Sequence, residues 1–204
     1  MAQSRRERTE KARPALLGLL RELSYRRGTF VLASGRESDF FIDCKKTVLT
    51  AVGHVLVGEL MLDALRQLPK CDAVAGVALG GCPLASAVSL TSQLRGCPVP
   101  ALYVRKAAKD HGTRATVEGQ LEPGHQVVIV EDVITTGGST LRAVETLKSA
   151  GAEVVGVVVL VDRLEGGAEA LRCAGLEVVA LYTRHDFIEA SPLSATLTDT
   201  IPDS

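Results

Sequence analysis

The residues best equipped for chemistry lie between Val127 and Thr140, where the chain reads Val-Val-Ile-Val-Glu-Asp-Val-Ile-Thr-Thr-Gly-Gly-Ser-Thr. Two adjacent carboxylates, Glu131 and Asp132, precede a loop of hydroxyls and glycines, Thr135 to Thr140. A helix-like run, Leu141–Ala150, follows. Unpaired N–H groups and the dipole at a helix N-terminus attract anions. Gly137 and Gly138 let the backbone come close to such an anion, and Thr135, Thr136 and Ser139 add donors. The loop therefore reads as a phosphate cradle. Carboxylates beside it suit ribose hydroxyls, or a magnesium ion held through water. The same residues would also serve an ordinary strand–turn–helix corner with a Ser/Thr-capped helix. The lysine of a GxxxxGK[ST] loop and the GxGxxG of a dinucleotide site are both absent, which weakens those two functions.

Three further groups carry chemistry. Leu79-Gly80-Gly81-Cys82-Pro83 is a tight turn that a pyrophosphate could approach, or simply a sharp corner. Arg105–Thr116 sets four permanent cations and His111 against one acid, Asp110, with no clear apolar period. Charge runs are commonly solvated surface, but a long polar loop in a compact domain also acts as a lid. Its cations would neutralise charge growing on a departing pyrophosphate. Arg163 closes an apolar run and could grip a carboxylate in a bidentate pair, or ion-pair with Asp162 or Glu165.

Apolar periodicity supplies the elements that must position these groups. Leu16, Leu19, Leu20 and Leu23 predict a helix over Ala12–Arg26, ended by Gly28. Phe30–Arg36 and Phe40–Lys45 flank a Ser-Gly-Arg turn and predict an antiparallel unit over the main sheet. Helices are expected over Thr50–Leu68, Leu84–Leu94 and Gly166–Ala174. Buried strands are expected at Ala73–Ala78, Val99–Val104, Val127–Val130, Glu153–Val161 and Glu177–Tyr182. This alternation from about residue 70 argues for an α/β fold, a parallel sheet with helices on both faces. The Gly80 turn, the acidic pair with its loop, the lid and Arg163 then all fall at carboxyl ends of strands, where open α/β sheets bind ligands.

The 204 residues fit one domain, with hood elements mainly from about 1–48. A composition of 46% hydrophobic and 23% charged residues is that of a globular protein. The net charge of −1 argues against nucleic-acid binding through bulk charge. No apolar run is long enough to span a membrane, and the basic start reads as an amphipathic helix rather than a signal peptide. Five scattered cysteines without CxxC and four histidines without metal spacing, His54 among them, suggest free thiols in a reducing cytoplasm and no zinc site. The tail, Ser191–Ser204, is polar.

The run EDVITTGGST closely resembles the phosphoribosyl pyrophosphate (PRPP) signature of the type I phosphoribosyltransferases. Arg105-Lys106-x-x-Lys109-x-His111-Gly112 looks like the flexible loop of the orotate-specific members. FVLASGRESDFFIDCK and the VDR around Arg163 are similar to other segments of that group. The resemblance runs from about Phe30 to Arg163. It implies a type I phosphoribosyltransferase-like fold with a small N-terminal hood. It also implies that orotate N1 attacks C1 of PRPP, giving orotidine 5′-monophosphate and pyrophosphate. Mg²⁺ would be carried mainly by PRPP and pyrophosphate, with no protein metal site. Thr135, Thr136, Gly137, Gly138 and Ser139, with Val133 and Ile134, would hold the PRPP phosphate. Glu131 and Asp132 would bind ribose hydroxyls. Arg105, Lys106, Lys109 and His111 would bind pyrophosphate, with Lys109 the leading catalytic group beside Asp132 and Glu131. Thr135 and Arg163 would contact orotate, and Phe41 would lie near the base. The group is typically homodimeric, so the loop would reach the neighbouring site.

Two lysines found in some members are replaced here by Ala33 and Gly80, and the acidic pair is Glu-Asp where many have Asp-Asp. The length leaves no room for a second, decarboxylase-like domain. Two rivals remain: a purine-base phosphoribosyltransferase, which the lid motif and Arg163 disfavour, and a non-catalytic PRPP-sensing regulator, which the lid cations disfavour.

Overall fold

The computed structural model describes residues 2–31, 37–105 and 116–188. The chain begins with α1 (Ala2–Leu19), widens through Leu20–Ser24, and forms an antiparallel pair, β1 (Tyr25–Val31) and β2 (Glu37–Ile42). Short helix α2 (Lys45–Val48) leads to α3 (Ala51–Ala64). Alternation then sets in: β3 (Ala73–Val77), α4 (Gly81–Leu94), β4 (Ala101–Val104), β5 (Val117–Glu118), β6 (Gln126–Ile134), α5 (Gly138–Ser149), β7 (Glu153–Asp162), α6 (Gly167–Cys173), β8 (Val178–Thr183) and α7 (Arg184–Ile188). The main sheet has the order β5-β4-β3-β6-β7-β8, parallel except for β5.

Period-two alternation makes the central strands apolar on both faces. Val128, Val130, Val158 and Leu160 enter one core with residues of α1, α3 and α4. Val127, Ile129, Val157 and Val159 enter the other, against Ala143, Val144 and Leu147 of α5. Each such side chain, fully buried, stabilises the fold by about 1.5–3 kcal/mol relative to exposure. This two-sided burial is what the near-continuous Val/Ile/Leu runs required. Among the described residues no helix is long and apolar enough to cross a membrane.

Several expected boundaries move. The first helix does not reach Arg26. Tyr25 and Arg26 pair with Ile42 and Phe41, and the Tyr25 ring packs 5.1 Å from that of Phe40. Gly28 therefore sits in β1, at its register irregularity, and caps no helix. The helix expected over Thr50–Leu68 is α3 plus a single tight turn, Leu65–Gln67. Its start is set by Thr50, whose hydroxyl accepts from Gly53 N at 3.0 Å. The tail from residue 189 and the turn at 32–36, including Ala33, lie outside the described residues.

Candidate active site

β6 brings its acids to the carboxyl edge of the sheet, and it runs past them. Pairing with β7 continues through Glu131–Val159 and Val133–Val161 to Ile134–Asp162, so the acids stand inside the strand rather than after it. Ile134 is buried in the second core, so its side chain packs the fold. After a bend at Thr135–Gly137, α5 starts at Gly138. The expected Ser/Thr cap is not used. Gly137 takes the cap position at φ 78°, a left-handed conformation that glycine adopts without steric penalty. A methyl group there would come 2.9 Å from the Gly167 carbonyl, so the loop is seated against α6. Thr136 is exposed, and Thr135, Gly138 and Ser139 are half-buried around the helix N-terminus.

The two acids differ. Glu131 is only 5% exposed and accepts a hydrogen bond from Thr140 Oγ1 at 3.1 Å. Burial first, then the neighbouring Asp132 charge, push its carboxyl up to about 8. It therefore ionises less readily than an ordinary carboxyl. Asp132 is half-buried, and its Oδ1 accepts from Val133 N at 2.9 Å. The Gly80 backbone stands against the Asp132 carboxylate, and a methyl group built on Gly80 would overlap it. Glycine at position 80 therefore leaves room for the Asp132 carboxylate. Helix α4 begins at Gly81, three residues before the expected Leu84.

The lid is anchored by a strand that sequence reading missed. Arg105 N donates to Thr116 O at 2.9 Å, and β5 pairs antiparallel with β4, Tyr103 opposite Glu118. Two residues are too few for a periodic signal. Arg105 pairs across this base with Glu118 at 3.4 Å. Lys106, Lys109 and His111 lie outside the described residues.

Arg163 stands at the end of β7, 7% exposed. Its Nη2 lies 2.7 Å from Glu165 Oε1 and donates to Phe40 O at 3.2 Å, while its guanidinium stacks 5.5 Å from the Phe40 ring. Of the partners open to it, the structure realises Glu165. Asp162 instead accepts from Leu164 N at 2.8 Å and shapes the turn. The chain has only four Phe and three Tyr. Tyr25, Phe40 and Phe187 form one cluster here, which fixes β2 over the edge of the sheet. Phe41, next to it, is 38% exposed.

Among the described residues no group of three or more His, Cys, Asp or Glu could hold a metal ion. With Glu131 buried and bonded to Thr140, Asp132 is the more open carboxylate of the pair.

A mostly parallel sheet with a glycine–hydroxyl loop and an acidic pair at one edge is the arrangement of a phosphoribosyltransferase. Residues 54–174 match the family model described as the phosphoribosyl transferase domain, and the chain belongs to that family. Within it, the similarity is to orotate phosphoribosyltransferases. The chain is 70% identical over 182 residues to that of Sorangium cellulosum, covering 88% of this chain and 95% of the relative. The solved orotate phosphoribosyltransferase of Mycobacterium tuberculosis with Fe(III) dicitrate superposes with a TM-score of 0.76 at 37% identity, covering 87% of this chain and 99% of that one. The same enzyme in complex with PRPP gives 0.73 at 35% identity, covering 86% and 98%.

Proposed function

We propose the following account of the site, carried by the convergence of the Glu131–Ser139 segment and Arg163 on one edge of the sheet. The chain is an orotate phosphoribosyltransferase of pyrimidine synthesis. It transfers the phosphoribosyl group of PRPP to orotate, giving orotidine 5′-monophosphate and pyrophosphate. Orotate N1 forms the new bond to C1 of the ribose as the C1–O bond to pyrophosphate breaks. The protein's share is positioning and charge neutralisation.

The α5 N-terminus and Thr135–Ser139 hold the 5′-phosphate, and Asp132 takes the ribose hydroxyls. Glu131 supports Asp132 from beneath, bonded to Thr140. Arg163 turns from Glu165 to the orotate carboxylate, with Phe41 and Thr135 beside the ring. Lys106, Lys109 and His111, with Arg105 at the lid base, close on the pyrophosphate, and Lys109 steadies its developing charge. Mg²⁺, carried by PRPP, would supply further neutralisation of the leaving group.

A homodimer completes this reading. Val52 and Val55 of α3, with Leu90 and Leu94 of α4, are exposed, as are neighbouring Leu49 and Leu79. Val55, Leu90 and Leu94 line one shallow groove with His54 and Ala87. The groove is closed at one side by the Glu59–Arg95 ion pair and includes Thr91. An apolar face with a polar rim suits an isologous contact with a second copy. A reducing cytoplasmic location agrees with five cysteines in free-thiol form.

The test mixes the chain with PRPP, Mg²⁺ and orotate and follows the loss of orotate's ultraviolet absorption, with adenine, hypoxanthine and uracil assayed in parallel for nucleotide. Orotate consumption that requires both PRPP and Mg²⁺ is the expected outcome. Turnover of a purine alone would overturn the substrate. Silence with every base, in a chain that still binds PRPP, would favour the regulator.

A further inference from the structure

The segment from Phe40 to Lys45 touches both halves of the site. At one end Phe40 O accepts from Arg163, on the orotate side. At the other, Cys44 is fully buried with its Sγ 3.8 Å from Asp132 O, on the PRPP side. Burial pushes that thiol well above its ordinary range, so it acts as packing. It pins the start of the next side chain, Lys45, at the carboxyl end of β6.

Lys45 is held and yet reachable. Its ammonium lies 2.5 Å from Asp43 Oδ1, and its own backbone N–H donates to the same oxygen at 3.3 Å. Asp43 is itself fixed through its N–H to Ser24 O at 3.1 Å. The Lys45 side chain remains 39% exposed. The hydrogen bond to Asp43, with smaller contributions from the charges of Asp43 and Asp132, raises its affinity for a proton. The ammonium is thus held in a fixed direction, on the residue next to the cysteine that packs on the Asp132 backbone.

The charge balance here gives the lysine a purpose. Asp43 and Asp132 place negative charge where a substrate carrying a 5′-phosphate and a pyrophosphate must enter. Position 80 is glycine and supplies no cation, and its backbone stands against the Asp132 carboxylate. Arg105 stands at the base of the 106–115 segment, paired with Glu118, and Arg163 stands at the end of β7, paired with Glu165, so neither belongs to the Asp43–Lys45 segment that packs on Asp132. An aspartate-steadied lysine beside Asp132 offsets this negative charge at low entropic cost, because its side chain is already oriented.

We propose that Lys45 is a PRPP-binding residue of this site, oriented by Asp43, which supplies next to Asp132 the positive charge that Gly80 does not. The assignment rests on the phosphoribosyl-transfer reading above. It makes Lys45 specific for the polyanionic substrate and indifferent to the base.

The experiment compares the unaltered chain with Lys45→Met, which keeps the stem and removes the charge, and with Lys45→Arg. PRPP affinity is measured by titration calorimetry with Mg²⁺, alongside KM for each substrate and kcat. Lys45→Met should weaken PRPP binding and raise its KM about tenfold, as loss of one charge-assisted contact does. The KM for orotate should stay within about twofold, and Lys45→Arg should recover most of the loss. The thermal midpoint should hardly move, since a half-exposed ion pair adds little stability. Unchanged PRPP affinity in Lys45→Met would overturn the assignment, as would an equal rise in both KM values. If the unaltered chain bound PRPP but consumed no orotate, and Lys45→Met lost that binding, the transfer reading would fall and the Lys45 assignment would stand.

Discussion

The carboxyl ends of β6 and β7 lie side by side and, on the proposed reading of the site, would meet their ligands by opposite means. At the end of β6 the receiving groups are backbone N–H groups, hydroxyls and a half-buried aspartate, arranged around glycines. At the end of β7 the receiving group is a nearly buried arginine that already has a carboxylate, a carbonyl and an aromatic face around it. The first region is left open and gains its positive character from the helix terminus and from cations brought by neighbouring segments. The second is closed, and an incoming carboxylate must replace Glu165. This contrast fits the two ligands. A flexible, highly charged sugar phosphate needs many shallow donors, whereas a flat, rigid base with one carboxylate is read by a single bidentate fork.

The contrast can be broken at either end. The largest effect is expected from Lys109→Ala, which removes lid charge from the leaving pyrophosphate. Its kcat should fall by roughly a hundredfold or more, with unchanged circular dichroism. An unaltered kcat would remove Lys109 from its role. Next comes Arg163→Ala, which should raise the KM for orotate by about ten- to a hundredfold while sparing that for PRPP. Equal losses for both substrates would show that the two ends do not divide the ligands as described. The two variants also test the homodimer. If the lid acts across it, mixing Lys109→Ala and Arg163→Ala chains, assayed at an orotate concentration far below the raised KM so that neither alone turns over appreciably, should restore about a quarter of the activity, because half of the dimers would hold one complete site. No recovery after proven subunit exchange would place the lid in its own subunit's site.

The smallest effect concerns Glu131 and is read in stability. Its carboxyl titrates near 8 in the fold, against 4.5 for the ordinary group. The folded state therefore binds more protons between these limits, and stability attributable to this group falls as pH rises from about 4.5 to about 8. Glu131→Gln removes the ionisation and can still accept from Thr140. Its thermal midpoint should match that of the unaltered chain near pH 5 and exceed it by a few degrees near pH 8.5. A constant difference across that range would show that Glu131 does not hold its proton in the fold.

Much of this architecture was legible in local sequence. The order of apolar run, acids, glycine–hydroxyl loop and helix is a contiguous pattern, so β6, its loop and α5 could be placed before any long-range contact was known. The near-continuous apolar runs at β6 and β7 likewise announced strands covered on both faces, as period-two side chains require. Boundaries failed where a distant partner outweighed local preference. Tyr25 leaves the helical pattern because Ile42 and Phe40 pair and pack with it, and β6 outruns Val130 because β7 continues beside it.

Residue types and spacing thus determined the sheet, the glycine–hydroxyl loop at the end of β6 and the presence of an arginine at the edge. Tertiary structure decided how those groups are charged and paired. Glu131 ionises less readily because the sheet and α5 bury it, and Arg163 is held by Phe40, which stands 123 positions earlier in the chain. The Asp132 carboxylate stands against the Gly80 backbone, where a side chain would overlap it, and Cys44 packs on the Asp132 backbone from the end of β2. Burial and pairing of this kind depend on groups far apart in the chain, which local pattern cannot bring together; only the folded arrangement sets the dielectric and the partners each charge meets.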